Sequence, residues 1–168
     1  MDDGSVDEDR LADILRHHDL RVTQPRLAVL CCLESSGHAT AEQVADGVRE
    51  LIGPVATQTI YDVLAVLTSA GLVRTIEPAG SARLYERRVG DNHHHIICRR
   101  CRMVADIDCA TGHVPCLEIP APHAPVGGRA DSGGFLIDEA EVIFWGLCST
   151  CRSDEAEIAP PSAMLKAA

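Results

Sequence analysis

Residues 93–101 read HHHIICRRC, and residues 148–151 read CSTC. Each stretch contains a Cys-x-x-Cys pair. Two such pairs brought together by a fold supply four thiolates in the tetrahedral arrangement that structural zinc prefers, with Zn–S distances of about 2.3 Å. We therefore predict a structural Zn(II) ion that staples the C-terminal half of the chain; four unrelated buried thiols are the alternative. The predicted zinc ligands are Cys98, Cys101, Cys148 and Cys151.

A second candidate metal site starts from the histidine triplet at residues 93–95. Side chains alternate along a β-strand, so His93 and His95 would lie on one face and His94 on the other. Two imidazoles on one face can bind one metal ion. Carboxylates and a distant imidazole would complete a mixed nitrogen and oxygen site suited to Fe(II), Mn(II) or Zn(II). Solvent-exposed histidines without a ligand are the alternative. The predicted ligands are His38, Glu86, His93, His95 and Asp106.

The first half of the chain has the periodicity of four amphipathic helices followed by a β-hairpin. Thr23 is placed to cap the second helix, Thr40 begins a capping box for the third, and Gly71 follows the fourth as a C′ glycine. The runs 72–77 and 82–86 flank a turn and predict the hairpin. The positions predicted to face the core are Leu11, Ile14 and Leu15; Leu27, Leu30 and Leu33; Val44, Val48 and Leu51; and Ile60, Val63, Leu64 and Leu67.

Helices followed by a hairpin indicate a winged helix-turn-helix, and the strand-like runs of the second half indicate a separate small domain. We predict the α+β class: an N-terminal winged helix-turn-helix followed by a small zinc-stapled α/β domain. Residues 110–134 contain four Pro and five Gly and predict a long irregular loop. The predicted segments are an acidic disordered tail at 1–9, the winged helix at 10–89, a hinge at 90–92, the second domain at 93–153 and a flexible tail at 154–168.

The formal net charge of −10 argues against a generic nucleic-acid binder, because non-specific affinity comes largely from Lys and Arg on phosphates. Five acids lie within residues 1–9, however, whereas residues 10–90 hold nine Arg and nine acids and are neutral. A local basic face on the winged helix is therefore compatible with the composition. Its candidate members are Arg16, Arg21, Arg26, Arg74, Arg83, Arg87 and Arg88.

The fourth helix is the candidate recognition helix. Its inward stripe leaves Gln58 and Tyr61 on the opposite face, where Gln can read adenine and Tyr can contact a thymine methyl or a phosphate. A solvated polar face without DNA function is the alternative. The predicted DNA-binding residues are Arg21, Arg26, Gln58, Thr59 and Tyr61.

The eight cysteines do not predict a secreted disulfide framework, because the first residues lack the basic and apolar regions of a signal peptide. We expect a reducing, cytoplasmic location and, since no apolar run approaches about 18 residues, no membrane association. Cys31 and Cys32 lie in the second helix pattern and are predicted to be packing residues. For Cys109, His113 and Cys116, a third metal site, a redox pair and idle loop thiols are the open alternatives.

Together these segments resemble the ferric uptake regulator family of metal-dependent bacterial repressors, over residues 10–152. The resemblance implies a homodimer with one structural Zn(II) per protomer in the four cysteines. It also implies that the second domain mediates dimerisation and that a regulatory metal, Fe(II) or else Mn(II) or Zn(II), bridges the two domains at the second site. The implied partner is double-stranded operator DNA with an inverted repeat. The matching segments are 20–26, 38–42, 59–61, 70–73, 93–101 and 146–151.

Closer similarity is to the actinobacterial branch of this family that represses an adjacent catalase-peroxidase gene. Asp106 is typical of peroxide-sensing members and Glu86 of iron-responsive ones, so both signals stay open. Asp62 stands where the family usually has Arg, which removes a phosphate contact. Ala140 stands where many members have a His for a further metal site, which is therefore expected to be absent or rebuilt. The segments that carry the closer similarity are 61–64, 89–95 and 138–142.

The sequence thus predicts a metal-dependent repressor of oxidative-stress (catalase-peroxidase) or iron-homeostasis genes, released from DNA by peroxide or by metal loss. A zinc- or nickel-responsive repressor of the same family is the alternative. A zinc-dependent hydrolytic enzyme is more remote, because neither a His-x-Glu nor a His-Glu-x-x-His arrangement occurs. We therefore expect no enzymatic activity and no small-molecule substrate.

Overall fold

The computed structural model describes residues 7–91, 93–109 and 141–153. The chain divides into two compact units, Met1–Asp91 and Asn92–Ala168, and the division falls within the predicted hinge at 90–92. Several predictions lie wholly or partly outside the described residues: the tail at 154–168, the loop at 110–134, the first six residues of the acidic tail, and the roles of His113, Cys116 and Ala140.

The first unit is a winged helix. In chain order its elements are α1 (Glu8–His17), α2 (Gln24–Ser36), β1 (His38–Thr40), α3 (Ala41–Ile52), α4 (Thr57–Ser69), β2 (Arg74–Ile76) and β3 (Leu84–Glu86). The three strands form an antiparallel sheet in the order β1-β3-β2. The predicted hairpin is therefore present, with shorter strands than the runs of sequence suggested, and β1 is a third strand that periodicity did not indicate.

The helix ends follow local sequence signals. The Asp7 side chain accepts a hydrogen bond from the Arg10 backbone N–H at 3.1 Å. Because α1 begins at Glu8, the predicted boundary of the acidic tail at residue 9 is wrong: acids in the first turn stabilise the helix dipole instead. Thr40 forms the predicted capping box, whereas Thr23 occupies the N-cap position of α2 without a side-chain hydrogen bond.

The turn that ends α4 requires a glycine at position 71. Gly71 has a φ of 69°, a left-handed conformation that costs other residues energy. This turn lets the Leu72 N–H donate to Leu67 O at 3.0 Å and the Gly71 N–H donate to Thr68 O at 3.0 Å. Both bonds belong to the Schellman motif that ends helices at a C′ glycine.

The four helices bury their apolar stripes in one core, as the periodicity predicted for α1, α2 and α4. Leu51 is the exception: it is 58% exposed at the end of α3, where it borders a surface cleft. Among the described residues no single helix is long and apolar enough to cross a membrane. Helices α3 and α4 pass that test only as a pair, and they are bent by 108° and pack into this core.

The second unit contains a three-stranded sheet and one short helix. Its described elements are β4 (His93–Cys98), β5 (Val104–Asp108), β6 (Ile143–Gly146) and α5 (Ser149–Ser153). The strand order is β5-β4-β6, with β5 antiparallel and β6 parallel to the central strand. Helices and strands are thus segregated along the chain, which confirms the predicted α+β class.

Candidate metal centres and DNA-binding helix

The four cysteines of the two Cys-x-x-Cys pairs lie together in the second unit. Cys98 ends β4 and Cys101 lies in the tight turn that leads to β5, while Cys148 precedes α5 and Cys151 lies within it. The parallel pairing of β4 with β6 brings the two ends together, since Cys98 is in register with Gly146. All four sulfur atoms lie within 4.8 Å of one another, so the cluster fits the tetrahedral thiolate geometry of zinc.

Backbone N–H groups in both turns point at these sulfurs. The Cys148 N–H donates to Cys98 Sγ at 3.4 Å, and the Cys151 N–H donates to Cys148 Sγ at 3.4 Å. The N–H groups of Cys101 and Cys148 lower the pKa of Cys98 to about 6, whereas burial and then the neighbouring sulfurs raise the pKa of Cys151 to about 12. A bound divalent cation must therefore displace a proton from Cys151, and its affinity falls on acidification.

In the first unit, His38 and Glu86 form a buried pair. Strand β1 pairs with β3 so that these two residues are direct partners in the register. His38 Nε2 lies 2.9 Å from Glu86 Oε2, and the Glu86 residue is 1% exposed. A carboxylate this deeply buried needs a cationic or hydrogen-bonding partner. The pair can therefore supply one nitrogen and one oxygen ligand to a cation.

In the second unit, the histidine triplet alternates across β4 as predicted. The rings of His93 and His95 are 4.9 Å apart, and His94 lies on the other face with its ring 6.3 Å from that of Phe144. His95 pairs in register with Asp106, and its Nε2 lies 3.8 Å from the carboxylate. All three imidazoles are buried, so the alternative of solvent-exposed histidines is wrong.

Helix α4 presents the predicted polar face. Tyr61 is 44% exposed, while Ile60 and Val63 are buried beneath it. Gln58 donates to the Asp62 carboxylate at 2.8 Å, so its amide is already engaged on the helix surface. At the start of α2, Arg26 donates to the Arg21 backbone carbonyl at 2.7 Å, which links the two candidate phosphate contacts.

Much of the suggested basic face is neutralised. Arg16 pairs with Asp13 at 2.6 Å and Arg88 with Asp91 at 2.6 Å. Arg83 pairs with Glu77, and Arg87 pairs with Glu34 at 2.5 Å. Ion pairs reduce the attraction of these cations for phosphate. Four of the seven candidate arginines thus have a carboxylate partner within the winged helix, and the basic face stays a prediction.

Two positioning features had little or no signal in the sequence. Strand β1 is only three residues long, and only its pairing with β3 places His38 beside Glu86. Arg49 ties the α3–α4 turn to the start of α4, the candidate recognition helix, since its guanidinium donates to Thr57 Oγ1 at 2.8 Å and to Val55 O at 3.3 Å. A lone arginine near a helix end is too common to have predicted this role.

A winged helix followed by a small domain with a four-thiolate cluster defines the class of metal-binding DNA-binding regulators. The model of the ferric uptake regulator family matches residues 17–113. The chain is also 49% identical, over 150 residues, to the transcriptional regulator FurA of Mycobacterium tuberculosis, with 89% of this chain and 95% of that protein covered. The chain therefore belongs to the ferric uptake regulator family.

Solved structures agree with this fold. The ferric uptake regulator of Vibrio cholerae matches with a TM-score of 0.62 at 23% identity, over 82% of this chain and 99% of that one. A zinc uptake regulator solved with zinc and DNA matches with a TM-score of 0.61 at 23% identity, over 89% of this chain and 95% of that one.

Proposed function

We propose that this protein is a homodimeric, metal-dependent transcriptional repressor that binds an inverted-repeat operator and leaves it on exposure to peroxide or on metal loss. The genes we expect it to control are those of oxidative stress, catalase-peroxidase above all, or of iron homeostasis. The observation that carries the proposal is that each unit presents imidazole and carboxylate donors together: His38 with the buried Glu86 in the winged-helix unit, and the buried His93 and His95 with the partly exposed Asp106 in the zinc-binding unit.

The structural site holds one Zn(II) per protomer in Cys98, Cys101, Cys148 and Cys151. Four thiolates fill the coordination sphere, so this ion has no open position for chemistry. Its role is to connect the turn after β4 to the start of α5. The sulfur cluster and the N–H groups directed at Cys98 support this assignment.

The regulatory site uses ligands from both units. His38 and Glu86 supply two donors, and His93, His95 and Asp106 supply three more. Neither set alone completes the coordination of a divalent cation, so one ion shared by both would be bound only when the two units adopt a single arrangement. A metal ion selects that arrangement by its differential affinity, which is how it would favour the DNA-binding state. The donors suit Fe(II), Mn(II) and Zn(II).

Dimerisation is assigned to the sheet of the second unit. One face of this sheet carries large apolar side chains that remain exposed: Ile96 is 37% exposed, Ile107 is 37% exposed and Phe144 is 46% exposed. The strand register places all three on the same face. A contiguous exposed apolar face marks an interaction surface, and a second copy of the chain is its proposed partner.

DNA binding is assigned to α4 and to the start of α2. The proposed contacts are Arg21, Arg26, Gln58, Thr59 and Tyr61, with Tyr61 as the main base or phosphate contact of the recognition helix. Asp62 opposes phosphate approach and engages Gln58, so we expect an operator that differs from those of relatives with Arg at this position.

The test is operator binding by the zinc-loaded protein with added Fe(II), Mn(II), Zn(II) or Ni(II), measured by fluorescence anisotropy at fixed salt. His93→Ala should abolish the metal dependence while leaving the zinc content unchanged. His94→Ala removes a buried imidazole from the opposite face of the same strand, next to Phe144 of the proposed dimer face. It serves as the matched control once sedimentation shows that the variant is still a dimer. Metal-independent binding by the wild type would refute the proposal.

The same assay distinguishes peroxide from metal loss as the signal that releases the protein from DNA. Peroxide added to the Fe(II) form should release DNA and add oxygen to a histidine peptide, whereas simple chelation should release DNA without that mass change. Dependence on Zn(II) or Ni(II) alone would instead identify the zinc- or nickel-responsive alternative. Hydrolytic turnover without DNA binding would identify the enzyme.

A further inference from the structure

The winged-helix unit contains a surface cleft with a volume of about 640 Å³. It lies between the C-terminal half of α2, strand β1 and helix α3. The consecutive thiols of Cys31 and Cys32 both line it, together with Gly47 and Glu50 on α3. The proposed DNA contacts are not among its lining residues. His38, a proposed ligand of the regulatory metal, does line it.

Both thiols are held in the protonated form. Burial raises the pKa of Cys32, and the nearby Cys31 and Glu50 raise it further. Burial also raises the pKa of Cys31, with a further contribution from Glu8. Zinc and similar cations require thiolates and release protons on binding. Within the described residues, neither thiol belongs to a group of three or more metal-ligating side chains whose ligand atoms lie within 4.8 Å of one another. A divalent cation is therefore disfavoured here.

We propose that Cys31 and Cys32 form a binding site for a trivalent arsenical, with one As(III) atom bonded to both sulfurs inside the cleft. Soft thiol ligands select soft acceptors. Consecutive side chains of a helix diverge, but Cys31 and Cys32 both line the same cleft, so rotation about χ1 towards that cleft is what would bring both sulfurs to one arsenic atom. The cleft gives the organic substituent on arsenic a place to lie.

The chemistry balances without an oxidant or a reductant. Phenylarsine oxide condenses with two thiols: two As–S bonds form, the arsenic–oxygen bond breaks, and the oxygen leaves as one water with both thiol protons. The net reaction consumes neutral thiols, which is the form that burial favours at this site. Because a monosubstituted arsenical takes two sulfurs rather than three, it matches a pair of cysteines.

The adduct would disturb the packing of α2 against α3. A Cβ atom built on Gly47 would lie 2.9 Å from Cys32 Sγ, so this sulfur fills the space beside the α3 backbone. Arsenic has no room on that side, so the bridged adduct draws the sulfur into the cleft and α3 is displaced from its present position against α2. Residues 53–56 connect α3 to the recognition helix. Operator binding weakens as a consequence; this second step rests on the proposed function, whereas the binding step does not.

The binding experiment uses the zinc-loaded full chain with phenylarsine oxide, followed by intact-mass spectrometry and a chromogenic assay of released zinc. Wild type and the control Cys109→Ala should each bind one equivalent with loss of water and retain zinc. Cys31→Ala and Cys32→Ala should each lose the bridged adduct, and circular dichroism verifies their helix content. A bridged adduct that persists in both variants, or stoichiometric zinc release, would overturn the site.

The operator experiment follows on the same samples. The arsenical should lower the operator affinity of the metal-loaded wild type, 1,2-ethanedithiol should restore it, and Cys31→Ala should be insensitive. Metal analysis of the adduct should show the regulatory metal retained, because His38 also lines the cleft and loss of that metal would explain the weaker binding without any displacement of α3. A fully bridged wild type with unchanged affinity would overturn the proposed displacement of α3. Failure of the untreated protein to bind DNA in a metal-dependent way would refute the proposed function and leave the mass-spectrometric result standing.

Discussion

The contact between Gly47 and Cys32 predicts whether Gly47→Ala raises or lowers the free energy of unfolding of the winged helix. Gly47 lies in the middle of α3, where glycine costs about 1 kcal/mol relative to alanine, so Gly47→Ala should stabilise the helix by that amount if nothing opposed it. An alanine Cβ would lie 2.9 Å from Cys32 Sγ, and the next nearest atom, Cys32 Cβ, is at an ordinary 3.8 Å. Overpacking of this kind costs about 1–3 kcal/mol.

The two effects leave Gly47→Ala between neutral and about 2 kcal/mol destabilising in the wild type. In a Cys32→Ala background the sulfur is gone, so the same substitution should stabilise by about 1 kcal/mol. The difference, about 1–3 kcal/mol, is the coupling energy of a double-mutant cycle.

The assay is urea unfolding of the zinc-loaded chain, followed by far-UV circular dichroism. Most of the described helical residues are in the first unit, so this signal reports the winged helix. The single tryptophan, Trp145, is in the second unit, and its fluorescence transition serves as an internal control that should not move. Stabilisation of the wild type by Gly47→Ala, or a coupling energy below about 0.5 kcal/mol, would refute the premise that the packing of α2 holds Cys32 Sγ against Gly47, and would show that the sulfur turns into the cleft at little cost.

Three further predictions follow from the other contacts. Cys98→Ser should remove bound zinc and dissociate the dimer, measured by metal analysis and sedimentation; unchanged zinc content would contradict the cluster. Asp62→Asn should raise operator affinity in anisotropy titrations, and the gain should shrink at high salt, because the substitution removes a charge that repels phosphate; no change would place Asp62 away from DNA. Glu34→Ala should destabilise the winged helix by about 1–3 kcal/mol in urea unfolding, because Arg87 is left largely buried without its carboxylate. Its control, Asp13→Ala, breaks an exposed ion pair and should lower the free energy of unfolding by less than about 1 kcal/mol. Equal losses of stability in the two variants would refute the stronger contribution of the largely buried pair.

Features set by local sequence could be predicted. The stripes of α1, α2 and α4, the capping box at Thr40 and the glycine after α4 depend on residues within a few positions of one another. The alternation of the histidine triplet is equally local, because it follows from the period of a strand. The four-cysteine cluster could be predicted from the two Cys-x-x-Cys pairs on the single assumption that the fold brings them together. The pairing of β4 with β6 does so.

Features set by contacts between distant residues could not be predicted. Leu51 fits the helical period, yet it is exposed because it borders the cleft. The arginines looked like one basic surface in a count of charges, but Glu34 and other acids neutralise four of them only once the chain is folded. Composition gives the number of charges in a segment and does not give their partners.

Strand β1 shows why this distinction matters for the proposed function. Three residues carry too little periodicity to predict a strand, and the partner strand begins more than forty residues later in the chain. That long-range pairing nevertheless sets His38 opposite Glu86, with 2.9 Å between imidazole and carboxylate. The chain thus folds two of its proposed ligands into one rigid sheet. A metal ion gains affinity from such a preorganised pair, because the pair needs little further ordering when the ion binds. The winged helix can therefore contribute to metal sensing as a preformed half of the site.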